Sequence, residues 1–191
     1  MPVLHLLAGP NGAGKSTYVR DVLSPTTGLP FINADLIAAD RWPAAAAERS
    51  YEAARIAEAE RRARMAAGES FISETVFSHP SKVALLTDAS ALGYLVHLHV
   101  ILVSVDLTVQ RVTERVRRGG HTVPEAKIRD RYDRLWTHIA AAIQIVDVAE
   151  VFDNSSPRQP FRPCAMYTHG TLNGTAEWPK WAPAALAGRS Q

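Results

Sequence analysis

The sequence predicts an α/β fold: a mainly parallel sheet with helices on both faces, in three layers. Three observations predict it. Strand-like apolar runs alternate with helical patterns, which implies parallel strands joined by crossover helices. A glycine-rich stretch stands directly between the first such strand and the first such helix. The length of 191 residues suits one α/β domain with a sizeable core, so residues 1–191 are expected to be a single domain.

The elements follow in order. Strands are expected at residues 3–8, 30–33, 70–74, 96–105 and 146–152, with an edge strand at 161–168. Helices are expected at 15–23, 44–67, 81–92, 107–117 and 125–145. The 44–67 stretch is rich in Ala, Glu and Arg, all good helix formers. Its alternating charges read as a solvated face over an alanine seam. The tail from residue 170 is loop-rich, and its tryptophans, Trp178 and Trp181, are expected to close the core or cover a sheet edge rather than stack on a base.

Composition excludes several classes. Apolar and charged fractions are those of a globular chain, and a formal charge of +2 does not favour nucleic acid or membrane as a partner. A single cysteine, Cys164, allows no internal disulfide and no zinc-ligand cluster of cysteines. The first strand begins almost at once, and His97 and His99 interrupt the best apolar run. No signal peptide or membrane span is therefore expected, and a cytoplasmic location is.

The chemistry starts at Gly9-Pro10-Asn11-Gly12-Ala13-Gly14-Lys15-Ser16, a G-x-x-x-x-G-K-[ST] phosphate loop behind a strand and ahead of a helix. Its glycines let bare N–H groups approach phosphate oxygens, and the helix adds its positive end. Lys15 is expected to meet the β- and γ-phosphates of ATP, and Ser16 to offer its hydroxyl to Mg²⁺. Thr17 neighbours them as a packing or capping residue.

A guanine-reading N-K-x-D and a D-x-x-G are absent, which argues against a GTPase. The L-S-G-G-Q of transport ATPases and the paired acids of large mechanical ATPases are also missing. An arginine-dense segment at residues 111–134 is present instead, interrupted by Gly119-Gly120. In small-molecule kinases such a segment is a lid that closes on the phosphates, which makes the expected fold nucleoside-kinase-like. Arg115 and Arg131 are the expected phosphate ligands, with Arg118 the next choice; solvated basic helices are the alternative.

Acids at the carboxyl edge of the sheet complete the reading, because ligands of open α/β sheets bind there. Asp35 closes the string Phe31-Ile32-Asn33-Ala34-Asp35 and suits a general base on an acceptor hydroxyl; capping a short helix from residue 36 is its structural alternative. Glu74, in Ser73-Glu74-Thr75, suits holding a water on Mg²⁺ or an acceptor hydroxyl, with Thr75 beside it. His79 reads as a plain helix-start residue, and Asp106 as the cap of a helix from residue 107. Asp153-Asn154-Ser155 is a turn that either lies near the adenine or serves only as a turn.

With these residues in hand the chain resembles the zeta-toxin family of phosphate-loop kinases, in a short form. The resemblance rests on residues 8–17, 31–35, 73–75, 115–124 and 153–155, and spans most of residues 1–156. The strings P-N-G-A-G-K-S-T and R-V-x-x-G-G-H-x-V-P carry most of it. It implies an ATP- and Mg²⁺-dependent phosphotransferase acting on a hydroxyl of a small metabolite, UDP-N-acetylglucosamine being the best-known acceptor. It also implies, for some relatives, restraint by a small helical antitoxin. Lys15 and Ser16 match the phosphate-loop roles, Asp35 the acceptor base and Arg115 a charge-stabilising arginine. The family's second lid arginine falls near His121, leaving His121 or Arg131 to substitute. The chain is shorter than the larger toxins where those bind their sugar nucleotide. Two other readings stay open: a polynucleotide 5′-hydroxyl kinase, and a nucleotide-dependent binding module of a toxin–antitoxin complex.

Overall fold

A computed structural model describes residues 1–117 and 124–188. Arg118, Gly119, Gly120 and His121 lie outside the described residues. The order of elements is β1 (Val3–Ala8), a helical run over residues 15–27, β2 (Phe31–Ile32), α3 (Ala34–Arg41), α4 (Ser50–Ala67), β3 (Phe71–Thr75) and α5 (Ser81–Ala91). Then come β4 (Leu95–Leu102), α6 (Val105–Arg117), α7 (Glu125–Ile143), β5 (Val148–Asp153), β6 (Arg162–Thr168), β7 (Thr171–Leu172) and α8 (Ala184–Ala187). The helical run comprises α1 (Lys15–Tyr18), a π turn (Val19–Leu23) and α2 (Ser24–Thr27).

Among the described residues the strands form a seven-stranded sheet in the order β2-β3-β1-β4-β5-β6-β7. The pairs through β5 are parallel, and β6 and β7 add antiparallel at one edge. The chain leaves β1 for β2 and β3 on one side, then crosses to β4 and β5 on the other. That reversal puts the carboxyl end of β1 at a topological switch point, where open α/β sheets take their ligands. Register places Glu74 opposite Leu7 and Thr75 opposite Ala8, so the end of β3 lies beside the start of the phosphate loop.

Strand pleating sorts the core onto two faces. Leu4, Leu6 and Ala8 of β1 join Val96, Leu98 and Val100 of β4 in a large cluster with α5 and α7, including Leu135, Trp136 and Ile139. Trp178 and Trp181 of the tail pack against this cluster, as expected of them. Leu7, Ile72, Ile101 and Phe152 face the other way, against Tyr18, Val19 and Leu23 of the helical run. No helix among the described residues is long and apolar enough to cross a membrane.

Several details differ from the sequence expectations, among them β4, which ends at Leu102 so that Val105 already belongs to α6. The first helix continues to Thr27 through the π turn rather than ending at 23. Pro25 has no N–H for the Asp21 carbonyl, and the widened turn just before it accommodates that missing bond. Helix α4 begins at Ser50, with turns replacing residues 44–49. Its alanine seam is real, since Ala53 and Ala57 are buried, but Arg61 is buried in the same row instead of solvated. Arg61 pairs with Glu58 at 2.8 Å and reaches Ser73 at 3.4 Å.

Candidate nucleotide and phosphotransfer site

The loop between β1 and α1 takes its shape from three glycines in left-handed or fully glycine-specific backbone: Gly9 at φ 149°, Gly12 at 73° and Gly14 at 95°. Space matters as much as torsion. A Cβ on Gly9 would sit 2.5 Å from the Ile101 carbonyl oxygen, and one on Gly14 would sit 2.5 Å from Asn154 Nδ2. Asn154 fills that gap because its amide donates to the Ala13 carbonyl at 2.8 Å. Arg111, on α6, donates to the Gly12 carbonyl at 3.1 Å and to the Asn154 carbonyl at 2.9 Å. The loop is therefore held through its Gly12 and Ala13 carbonyls, and Ala13 N closes it further by donating to the Pro10 carbonyl at 3.2 Å.

Lys15 is buried with its amine on the Gly9 and Pro10 carbonyls, each at 3.0 Å. Two of its three N–H donors are thus engaged within the loop. Burial pushes its pKa below the ordinary lysine value; the charges of Glu74 and Asp35 oppose that shift, and the charge of Arg115 adds to it. Three residues from three different elements, β3, α3 and α6, therefore act electrostatically on one amine. Ser16 Oγ donates to Glu74 Oε2 at 2.7 Å. With its proton committed, the hydroxyl keeps its lone pairs for a cation, and an adjacent carboxylate adds negative charge. The residues fit an Mg²⁺ ion and a triphosphate on this observation.

Asp35 is exposed on the first turn of α3. The capping alternative for it is corrected: Asn33 is the N-cap, its Oδ1 accepting from Leu36 N at 3.0 Å. Asp35 is thereby left without that local task. Asp106 is corrected likewise, because Ser104 Oγ accepts from Leu107 N at 3.3 Å while Asp106 pairs with Arg129 at 3.1 Å. Thr75 Oγ1 accepts from Phe77 N at 3.2 Å, in a turn where Phe77 holds a left-handed φ of 66° and is fully buried. A buried phenylalanine in that conformation is strained, and such strain gathers at functional edges. His79 accepts from Ser81 N at 3.2 Å and serves the start of α5.

The described arginines of the dense segment divide by what they contact. Arg131 lines a small cleft with Pro10, Asn11, Thr108 and Tyr132, so it stands against the phosphate loop. Arg115 makes its charge felt at Lys15 from the exposed end of α6. Arg129 is tied to Glu125 at 2.9 Å as well as to Asp106, and Arg134 to Asp130. Sequence reasoning missed the brace made by Arg111 and Asn154. Its traces were the arginine-dense segment that starts at Arg111 and the Asp153-Asn154-Ser155 turn, where Ser155 N donates to Asp153 Oδ1 at 2.9 Å.

A family model described as an AAA domain matches residues 4–148, with the phosphate loop near its start. The chain belongs to this AAA-domain family. Its fold is that of phosphate-loop kinases, and solved structures with the same fold include three informative ones. The AvrRxo1-ORF1:-ORF2 complex with ATP aligns at TM-score 0.69 and 16% identity, covering 91% of this chain and 60% of that one. The PezAT chromosomal toxin–antitoxin system of Streptococcus pneumoniae aligns at 0.61 and 16%, covering 85% and 72%. The Pnkp1/Rnl/Hen1 RNA repair complex aligns at 0.53 and 18%, covering 95% and 54%. This AAA-domain chain thus spans about three fifths of the AvrRxo1 chain's length. No curated protein sequence matches it.

Proposed function

We propose that the chain is an ATP- and Mg²⁺-dependent kinase of the zeta-toxin kind, moving the γ-phosphoryl group of ATP to a hydroxyl of a small metabolite. The observation that carries this reading is the pairing of Ser16 with Glu74 at 2.7 Å beside the buried Lys15 of the phosphate loop, whose amine also feels the charges of Glu74, Asp35 and Arg115.

The residues divide the work as follows. The backbone of residues 9–14 and Lys15 hold the donor's phosphates, with Thr17 on the helix behind them. Ser16 and Glu74 would hold Mg²⁺, which when bound neutralises charge on the phosphates. Asp35 accepts the acceptor hydroxyl's proton as its oxygen bonds to the γ-phosphorus and the bond to the ADP oxygen breaks. Glu74 and Thr75 flank the acceptor. Arg115 and Arg131, with Arg118 and His121 further along the same segment, stabilise charge on the moving group. Positioning and electrostatics carry the rate.

The acceptor we propose to try first is UDP-N-acetylglucosamine, on the strength of the zeta-toxin resemblance. A small helical antitoxin is the proposed protein partner, a reading supported by the fold shared with PezAT. The test is incubation with γ-labelled ATP and, in parallel, the nucleotide sugar, a metabolite extract and a 5′-hydroxyl oligonucleotide. Label in a small molecule that disappears with Asp35→Ala supports the kinase. Label in the oligonucleotide transfers the reading to the polynucleotide kinase, which the fold shared with the RNA repair complex keeps as the rival. ATP binding with no labelled product in any arm overturns both in favour of a nucleotide-controlled binding module.

A further inference from the structure

The face of the sheet beneath the helical run carries a group of side chains that phosphate transfer does not use. His5 on β1 stands opposite His97 on β4 in the parallel register, and His99 follows two residues along on the same face. One donor atom from each of these histidines lies within 4.8 Å of the other two. His5 Nδ1 is 3.0 Å from His99 Nε2, and His97 Nε2 is 2.8 Å from Glu150 Oε2 on β5.

The decisive atom is His99 Nδ1. The His99 side chain is 2% exposed, yet this nitrogen has no hydrogen-bond partner. It lies 3.5 Å from the same Glu150 oxygen that His97 contacts. A buried ring nitrogen left unsatisfied costs stability and calls for an explanation such as an ion. The ring of Tyr18 packs on that of His99 with centroids 5.5 Å apart.

We infer that His5, His97 and His99, with Glu150 beside them, form a binding site for a divalent transition-metal ion of the zinc class. Three imidazoles and one carboxylate are a donor set that suits Zn²⁺ and its chemical neighbours. Mg²⁺ prefers oxygen ligands, so this site is chemically distinct from the one at Ser16. The rings of His97 and His99 are stacked, with centroids 4.1 Å apart and planes 25° apart. A metal lies in the plane of each imidazole it binds, so capture turns these rings about their Cβ–Cγ bonds. The bound ion would pin β1 to β4 and, through Glu150, to β5.

The test uses the untagged full chain, stripped with a chelator and titrated with Co²⁺. The expected result is visible ligand-field absorption that Zn²⁺ displaces, with a rise in the thermal midpoint on zinc addition. His5→Gln and His97→Gln alter partly exposed rings and are expected to weaken the metal roughly 100-fold or more, beyond what loss of a supporting group alone costs. His169→Gln, on an exposed turn, is expected to change nothing. Absent bands in the wild type, or bands that survive both ligand substitutions, overturn the site. Zinc-edge absorption of the wild-type protein decides independently of whether any variant folds: an imidazole-rich shell supports the site, and a shell of oxygens alone overturns it.

Discussion

At the scale of single residues, the site rests on one buried amine and the charges around it. Lys15→Ala is expected to weaken ATP binding and to lower kcat together, because the same N–H groups serve the ground state and the moving phosphoryl. Asp35→Ala should behave differently. Asp35 is exposed, is not the N-cap of α3, and acts on Lys15 through its charge. Its loss is expected to lower kcat by about 100-fold or more, the range of general-base contributions, while nucleotide affinity stays near wild type. Titration calorimetry beside turnover measurements separates the two effects. Lost affinity with preserved turnover would remove Asp35 from the proposed role.

Elements bring these residues together, and the brace behind the phosphate loop shows how. Arg111 reaches two carbonyls from two chain segments, Gly12 and Asn154, which only a planar fork does well. Arg111→Lys is therefore expected to raise the ATP KM nearly as much as Arg111→Ala, by roughly tenfold for about 1.4 kcal/mol of lost positioning. A lysine variant with wild-type KM would show that charge alone suffices. Arg115 lies four residues further along α6, where it meets the field at Lys15 rather than the loop carbonyls. Arg115→Ala should lower kcat far more than it raises KM. One helix thus carries a structural arginine and a proposed catalytic one, a single turn apart.

For the molecule as a whole, sheet and core were the most legible parts of the sequence. Strand-forming runs such as 3–8 and 70–74 were separated by strong helix patterns, and their order left few topologies. The phosphate loop was equally plain, since its chemistry is local and needs adjacent residues. What sequence could not reveal was contact at a distance: Asn154 against Ala13 spans 141 positions. The π turn before Pro25 and the burial of Arg61 were hidden for a related reason, because helix patterns record which residues favour a helix and not what the helix packs against. The tail was legible only in outline. Leu186, 1% exposed in the large cluster, is expected to destabilise the fold by about 2–5 kcal/mol when cut to alanine. That loss should appear as a lower urea midpoint with kcat/KM retained under native conditions.

The smaller core carries one more implication. Tyr18, Val19 and Leu23 cover their face of the sheet from the same helical run whose first turn carries Lys15 and Ser16, the proposed phosphate and Mg²⁺ ligands. Grip on the ligand and integrity of that layer are therefore one mechanical property. A nucleotide that stiffens the first turn also tightens the hydrophobic roof, and a void opened at Leu23, with no ligand in reach, loosens the hold on ATP.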